Sequence, residues 1–375
     1  MGKPAIIIFG LGELGGYVLE FLARTPNIAK IVTVDVREDW GLRKTNSAII
    51  GAAQANFYPD IEFRQGDIFD VDKTAALIKE VQPTIVYNAM SLQSWWVITT
   101  LPADVYKTID EARFGPWYPM HFVPAYKLMQ AVKKSGVQCH VVNSAFPDLV
   151  NCVLGKLGMA PTVGIGNIDN MLCQSRNTVA KMLNVPMRAV TVYLAVPHFV
   201  SYYAARFGDT AGANFYMKVM VDDKEVKLDR KEFLTKLLAI GRRPGGTAAN
   251  PVVAASSCRI ILGILNDTHE LGHAPGPKGL PGGYPITLSA AGAEVFVPQG
   301  TSLQELIDIN LEGQKFDGVE RVEADGTVVI TEKSAETFRK VLGVECGTYK
   351  VSETEHKAKE LDEKFKAWAK AQTGK

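Results

Sequence analysis

Six residues near the N-terminus, Gly10-Leu11-Gly12-Glu13-Leu14-Gly15, constrain this chain more than any other segment. They stand between an apolar run, Ala5–Phe9, that reads as a buried strand and the series Leu14, Val18, Leu19 and Leu22 at helical spacing. Glycines spaced this way between strand and helix allow a tight turn. They also let backbone N–H groups at the positive end of the helix approach a pyrophosphate. A second apolar strand at residues 31–36 carries Asp35, about 20 residues past the last glycine. An acid there accepts hydrogen bonds from an adenosine ribose and repels a 2′-phosphate, which favours NAD over NADP; Arg37 nearby weakens that preference. Gln65-Gly66-Asp67-Ile68 falls where a third strand ends, and Asp67 is placed to reach an adenine amino group. The expected cofactor contacts are Gly10, Gly12, Glu13, Leu14, Gly15, Asp35, Asp67, Ile68, Asn88 and Asn143.

The rhythm of the first 144 residues supports that reading. Helical periodicity at 72–81 and 126–134 alternates with strands at 84–88 and 138–143, as in a doubly wound parallel sheet. The stretch 91–119 breaks the pattern with Trp95, Trp96, Trp117 and Tyr118, and its length suits a lid or binding loop. Past residue 143 the pattern changes to α+β. A helix is expected over 178–183, a strand over 189–196 and a hairpin around Asp222-Asp223. A small-residue helix follows over 247–265, then a Gly/Pro-rich loop over 272–285. The expected division is a Rossmann domain at 1–144, a substrate domain at 145–349 and a charged amphipathic helix at 350–375. Leu361, Phe365 and Trp368 lie on one side of that last helix, an apolar face suited to packing on a neighbouring subunit.

Composition narrows the function classes. With 41 Lys+Arg against 40 Asp+Glu and no basic stripe interleaved with aromatics, no nucleic-acid surface is expected. The first apolar run is too short to span a bilayer and lacks the flanks of a secretion signal, so no membrane association is expected. The five cysteines are scattered and odd in number, which fits reduced thiols and a cytoplasmic location.

Four segments of the second half carry a family resemblance. Phe146-Pro147-Asp148-Leu149-Val150-Asn151-Cys152 through Gly158 resembles the region after the asparagine-proline motif of lactate and malate dehydrogenases. Gly164-Ile165-Gly166-Asn167-Ile168-Asp169 is similar to the turn that opens that family's catalytic helix. Val192-Tyr193-Leu194-Ala195-Val196-Pro197-His198 is similar to the strand delivering its catalytic histidine. Gly245-Gly246-Thr247, with the small-residue helix after it, resembles the segment whose threonine lines the substrate pocket. The resemblance implies a Rossmann domain joined to an α+β substrate domain, NAD as cofactor and a homo-oligomer, dimer or tetramer. It also implies reversible oxidation of a secondary alcohol or 2-hydroxy acid with His198 as acid/base. The N-terminal half, with Gln65-Gly66-Asp67 and Val86-Tyr87-Asn88-Ala89, is also similar to extended short-chain epimerases.

The departures from the family pattern matter for the substrate. Counting back from His198 puts Met171 and Gln174 where the family has its aspartate and its carboxylate-clamping arginine. Asp169, the only carboxylate between Asp148 and Asp209, becomes the candidate partner of His198, with Arg176 seven residues further on. A histidine titrating near neutrality takes the hydroxyl proton as the alcohol is oxidised, and a carboxylate behind it fixes the tautomer. Asn143 is expected against the nicotinamide ribose or the substrate oxygen. Trp95, Trp96, Arg113, Gln174 and Thr247 are expected to line the site of a small-molecule substrate bulkier and more apolar than a three- or four-carbon acid. Two rivals remain: an epimerase- or lyase-type enzyme with a retained, recycling NAD, and an NAD(H)-binding sensor without turnover. His269-Glu270-Leu271-Gly272-His273 matches HExxH, but Pro275 and Pro277 interrupt a continuing helix and no metal is expected there.

Overall fold

In the computed structural model, which describes residues 4–26, 28, 30–242 and 245–373, the N-terminal half alternates strand and helix as the sequence pattern predicts. The strands are β1 (Ala5–Phe9), β2 (Lys30–Asp35), β3 (Asp60–Gln65), β4 (Ile85–Asn88), β5 (His140–Asn143) and β6 (Val163–Gly164). They form one parallel sheet in the order β3-β2-β1-β4-β5-β6. Ile6, Ile7, Ile8, Val86 and Tyr87 are fully buried, as expected when helices cover both faces of a parallel sheet. The helices of this half are α1 (Glu13–Ala23), α2 (Glu38–Gln54), α3 (Val71–Val81), α4 (Ala103–Asp110) and α5 (Tyr118–Ser135). The tryptophan-bearing stretch is therefore not a structureless loop: it holds α4 and two short 3-10 turns, Val97–Thr100 and Gly115–Trp117.

The second half supplies α6 (Pro147–Lys156), α7 (Ile168–Leu183), β7 (Val190–Ala195), α8 (His198–Phe207), β8 (Tyr216–Val221), β9 (Lys224–Val226), α9 (Arg230–Ile240) and α10 (Asn250–Leu265). The β8–β9 hairpin turns on Asp222 and Asp223, both at positive φ (45° and 61°), a conformation that short acidic side chains tolerate. The Gly/Pro-rich loop expected at 272–285 is instead a strand pair, β10 (Leu271–Pro275) and β11 (Gly283–Ser289), extended by β12 (Gly292–Val295). The prolines sit in strands because Pro275 ends its strand and Pro285 lies opposite His273 in the antiparallel register. The chain closes with α11 (Leu303–Gly313), β13 (Val319–Val322), β14 (Val328–Ile330), α12 (Glu332–Leu342), β15 (Thr348–Tyr349) and α13 (Thr354–Thr373).

Packing cuts across the expected sequence division. The segment Gly246–Leu265 has a mean hydropathy of 1.5, enough by length and composition to cross a membrane. Its helix α10 packs on α1 here, sharing a core with Val18, Leu22 and Ile261, and the Tyr87 hydroxyl on β4 meets the Ser257 hydroxyl at 2.9 Å. The tail helix packs on α5 of its own chain. Phe365 meets Trp117 edge-on at 5.3 Å, and Trp368 lies against Phe365.

A chain of buried asparagines fastens the second half to the sheet. Asn88 at the end of β4 donates to Asn143 Oδ1 (2.8 Å), Asn143 donates to Asn151 Oδ1 (2.8 Å), and Asn151 donates to the Gly276 carbonyl (3.1 Å). Asn143→Ala is expected to cost about 2–3 kcal/mol by orphaning the buried amides on either side, read as a lowered urea midpoint with unchanged helix content.

His273 is fully buried, and its Nε2 accepts the Leu194 N–H at 3.0 Å, so the ring must stay neutral; burial holds its pKa down to about 3. A folded-state pKa below the unfolded 6.5 means stability that is present above pH 6.5 and lost as the pH falls toward 3. His273→Gln keeps an acceptor without a titrating ring. The stability advantage of the wild-type chain over that variant is expected to shrink by roughly 2 kcal/mol between pH 7 and pH 5, measured by denaturant unfolding.

Candidate active site

The glycine turn at the N-terminus of α1 has the shape that its sequence requires. Gly10 adopts φ +91°, and a Cβ on Gly15 would lie 1.9 Å from the Gly10 carbonyl oxygen, so neither position admits a side chain. Gly12 faces open space, and no side chain caps the first turn of α1, which leaves its amides for an anion. Glu13 and Leu14, half-buried, open the helix.

Asp35, at the end of β2, is buried and holds the turn from behind. Its Oδ2 accepts the Leu11 N–H at 2.9 Å, and its Oδ1 accepts the Arg37 N–H at 2.9 Å and the Arg37 Nε–H at 3.2 Å. Trp40 ties α2 to the same turn by donating to the Leu11 carbonyl, with the Arg37 and Lys44 cations against its ring. Asp67 is exposed, and its carboxylate caps the turn at the Phe69 N–H; Ile68 is buried beside it. Asn88 and Asn143, both about 1% exposed, spend their amides on the network above and on the neighbouring Met90 and Ala145 backbone.

His198 is the first residue of α8, set by Pro197 at the bend where the chain leaves β7. Its Nδ1 lies 3.0 Å from Asp317 Oδ2, in a 3-10 turn (Gln314–Asp317) that follows α11 and is 119 residues away in sequence. Asp317 is only 2% exposed and also accepts the Tyr202 hydroxyl at 3.4 Å. The imidazole is walled by the rings of Phe146, Tyr202 and Phe114, with centroids 4.9, 5.2 and 5.3 Å away. Burial pulls its pKa down, but the charge and hydrogen bond of Asp317 and the charge of Asp148 outweigh this, and the net shift is upward. Because Phe146 lies three residues beyond the end of β5, the histidine stands at the carboxyl edge of the sheet, where open α/β folds place their ligands.

Asp169 is not the partner of this histidine. It lies on α7 facing α10, where Arg259 Nη1 takes its Oδ1 at 2.9 Å. Arg176, on the same helix, donates to the Val190 and Met187 carbonyls and pins α7 to β7; it does not line the cavity beside His198. Gln174 donates its amide to the Gly241 carbonyl at 3.0 Å, and its Oε1 is buried without a partner; it does not line the cavity beside His198. Thr247 is exposed in a 3-10 turn, Trp95 is exposed and Trp96 half-buried; none of the three lines the cavity beside His198. The HExxH segment is not a helical turn. His269, at φ +53°, pairs with Asp267 on the surface, whereas His273 is buried within β10.

Two groups that the sequence left unassigned complete the site. Asp148, in the first turn of α6, lines the cavity with His198 and Asp317; its Oδ2 accepts the Asn167 amide, while its Oδ1 is buried without a partner. Burial pushes its carboxyl up to about 6, against the opposing pull of His198. His121 on α5 is buried beside Phe114 and held down to about 3, by burial first and by the His198 charge second. Arg113, after α4, sits at φ +66° with its guanidinium 5.6 Å from the Phe199 ring and its charge acting on Tyr202. Phe146, which lines the cavity, and Asn167, which donates to Asp148, are both non-glycine residues at φ +42°, the backbone strain that functional sites concentrate.

No family model matches this chain, and no curated protein sequence matches it. Solved structures do resemble it. One is a lactate dehydrogenase from Cryptosporidium parvum complexed with lactic acid and NAD, at 14% identity and TM-score 0.58, covering 84% of this chain and 96% of that one. A malate dehydrogenase from Plasmodium falciparum matches at 14% identity and TM-score 0.57, covering 84% and 96%. A lactate dehydrogenase from Eimeria maxima with NADH and oxamate matches at 12% identity and TM-score 0.57, covering 84% and 92%. At such identities the likeness is one of fold: a six-stranded Rossmann sheet with a C-terminal domain, of the kind that lactate and malate dehydrogenases have.

Proposed function

We propose that this protein is an NAD(H)-linked oxidoreductase that interconverts a secondary alcohol and its ketone, with His198 as the acid/base. The observation that carries this reading is the buried His198–Asp317 pair at 3.0 Å, held at the carboxyl edge of a Rossmann sheet whose glycine turn is open to a diphosphate. The residues fit the cofactor: the uncapped amides of α1 would face its pyrophosphate, and Gly10 and Gly15 keep the turn free of side chains. A bound nicotinamide would supply the hydride acceptor and donor.

The protein's own contribution is proton handling. Asp317 accepts from Nδ1 and so fixes the tautomer that leaves Nε2 to take the alcohol proton. It also stabilises the imidazolium that results. The raised pKa of His198 suits a group that must hold a proton and return it near neutral pH. Phe114, Phe146 and Tyr202 exclude water from the pair, which strengthens it. A 2-hydroxy acid finds no clamp at Gln174, whose amide is engaged with backbone, so the reading is narrower than the dehydrogenase resemblance implied. All five cysteines are free, consistent with a reducing, cytoplasmic setting.

The test is NADH fluorescence titration together with turnover on a panel of secondary alcohols and ketones. His198→Gln is expected to lower kcat by about 10²–10⁴ while leaving NADH affinity within a few-fold. Asp317→Asn is expected to lower kcat and shift the acidic limb of the pH profile downward, whereas Asp169→Asn leaves that limb in place. Failure of the wild-type chain to bind NADH, or full activity in His198→Gln, overturns the assignment; binding without turnover across the panel favours the sensor reading instead.

A further inference from the structure

An acid at the end of the second strand of a dinucleotide fold accepts from the adenosine ribose, and its charge turns a 2′-phosphate away. Asp35 is constrained in both respects. Its side chain is only 7% exposed, its Oδ2 takes the Leu11 N–H, and its Oδ1 takes both the N–H and the Nε–H of Arg37. The Nε contact, at 3.2 Å, is an ion pair, so the carboxylate charge is already met within the chain. The Arg37 side chain is itself 57% exposed, and its two Nη groups make no hydrogen bond among the described residues. A second cation stands close by. Arg37 and Lys44 lie 5.2 and 4.9 Å from the centroid of the same Trp40 ring, whose Nε1–H donates to the Leu11 carbonyl of the glycine turn. The Lys44 chain runs along Gly16 in the first turn of α1, and its ammonium has no carboxylate partner among the described residues. Of the two acids that open α2, Asp39 is paired with Arg43 at 2.9 Å, which leaves Glu38. Three acids, Asp35, Glu38 and Asp39, thus stand against three bases, Arg37, Arg43 and Lys44. The donors still open at this edge, the Arg37 Nη groups and the Lys44 ammonium, are of the kind a phosphate accepts from.

Resting on the NAD(H)-linked reading above, we propose that this chain also binds the 2′-phosphorylated dinucleotide, NADP(H), with Arg37 and Lys44 as the residues that receive the 2′-phosphate. A guanidinium presents parallel N–H donors that match phosphate oxygens, and an ammonium adds a point charge. The Trp40 ring keeps both cations near the glycine turn, which lessens the entropy lost when a ligand orders them. An unpaired acid at Asp35 would reject the phosphate by like-charge repulsion, but Arg37 cancels that charge before any ligand arrives. NAD(H) is not displaced from the reading by this. Asp35 Oδ2 accepts a single hydrogen bond, from Leu11, and retains a second lone pair for a ribose hydroxyl. The two cofactors are therefore expected to bind on nearly equal terms.

Fluorescence titration of the unmodified protein with NADH and with NADPH measures both affinities without any substrate, and the two Kd values are expected to agree within about tenfold. Adenosine 2′,5′-bisphosphate and 5′-AMP isolate the extra phosphate. The bisphosphate is expected to raise the melting temperature more than the monophosphate at low salt, and the difference to fade near about 1 M salt, where exposed charges are screened. Arg37→Gln is expected to lower the NADPH-to-NADH affinity ratio by at least about tenfold, and Lys44→Gln by about threefold. The comparison of nucleotides on the unmodified protein decides the matter even if a variant folds poorly. NADPH binding more than about a hundredfold weaker than NADH overturns this inference and leaves the oxidoreductase reading intact. A bisphosphate that stabilises no better than 5′-AMP, or a ratio unchanged in Arg37→Gln, does the same. Failure to bind either nucleotide removes the underlying reading itself.

Discussion

The structure depends on how the carboxyl edge of the parallel sheet is joined to the second half of the chain. Buried backbone and amide groups must find partners, and Asn88, Asn143, Asn151 and the Gly276 carbonyl satisfy one another in a single line. That line fixes α6 and the loop before β11 against the ends of β4 and β5. The Gly283 backbone then bridges to Val196, two residues before the histidine. A small displacement of this junction would move His198 relative to the glycine turn, so the geometry of the proposed site depends on a network outside it.

Within that frame the electrostatics of the site have been redistributed relative to what the local sequence implies. The carboxylate on α7 is neutralised by Arg259, and the histidine takes its partner from the turn after α11. The two ion pairs are separate, which lets Asp169 and Arg259 bind α7 to α10 while Asp317 serves the imidazole. What remains in the cavity is a second carboxyl, Asp148, whose burial raises its pKa against the opposing charge of the neighbouring imidazole and leaves one oxygen without a partner. Pairs of titrating groups with divergent environments mark sites of chemistry more reliably than any single residue.

Much of the Rossmann half was legible in the sequence. The strands at 5–9 and 84–88, the helix after Gly12 and the acid at 35 follow from hydrophobic period and glycine spacing, both local properties. The hairpin at Asp222-Asp223 was legible for the same reason, since turn chemistry resides in the turn. The strands in 271–289 were not, because their prolines and glycines read as loop until the antiparallel partner is present to show which backbone groups need no donor. The partner of His198 was also misread. Asp169 had proximity in sequence in its favour, and Asp317 lies in Gln314-Lys315-Phe316-Asp317-Gly318, which carries no motif.

By itself, then, the amino-acid sequence determined the doubly wound sheet, the open glycine turn before α1 and the arrival of a histidine after the seventh strand, because each depends on residues within one or two turns of each other. Only the tertiary structure decided which carboxylate that histidine faces, that Arg176 and Asn143 are engaged with backbone and amide groups, and that Asp148 and Gln174 are each left with a buried oxygen without a partner. The reason is physical. Hydrogen-bond partners and charge balance are set by what burial brings together, and here it brings together residues 119 positions apart.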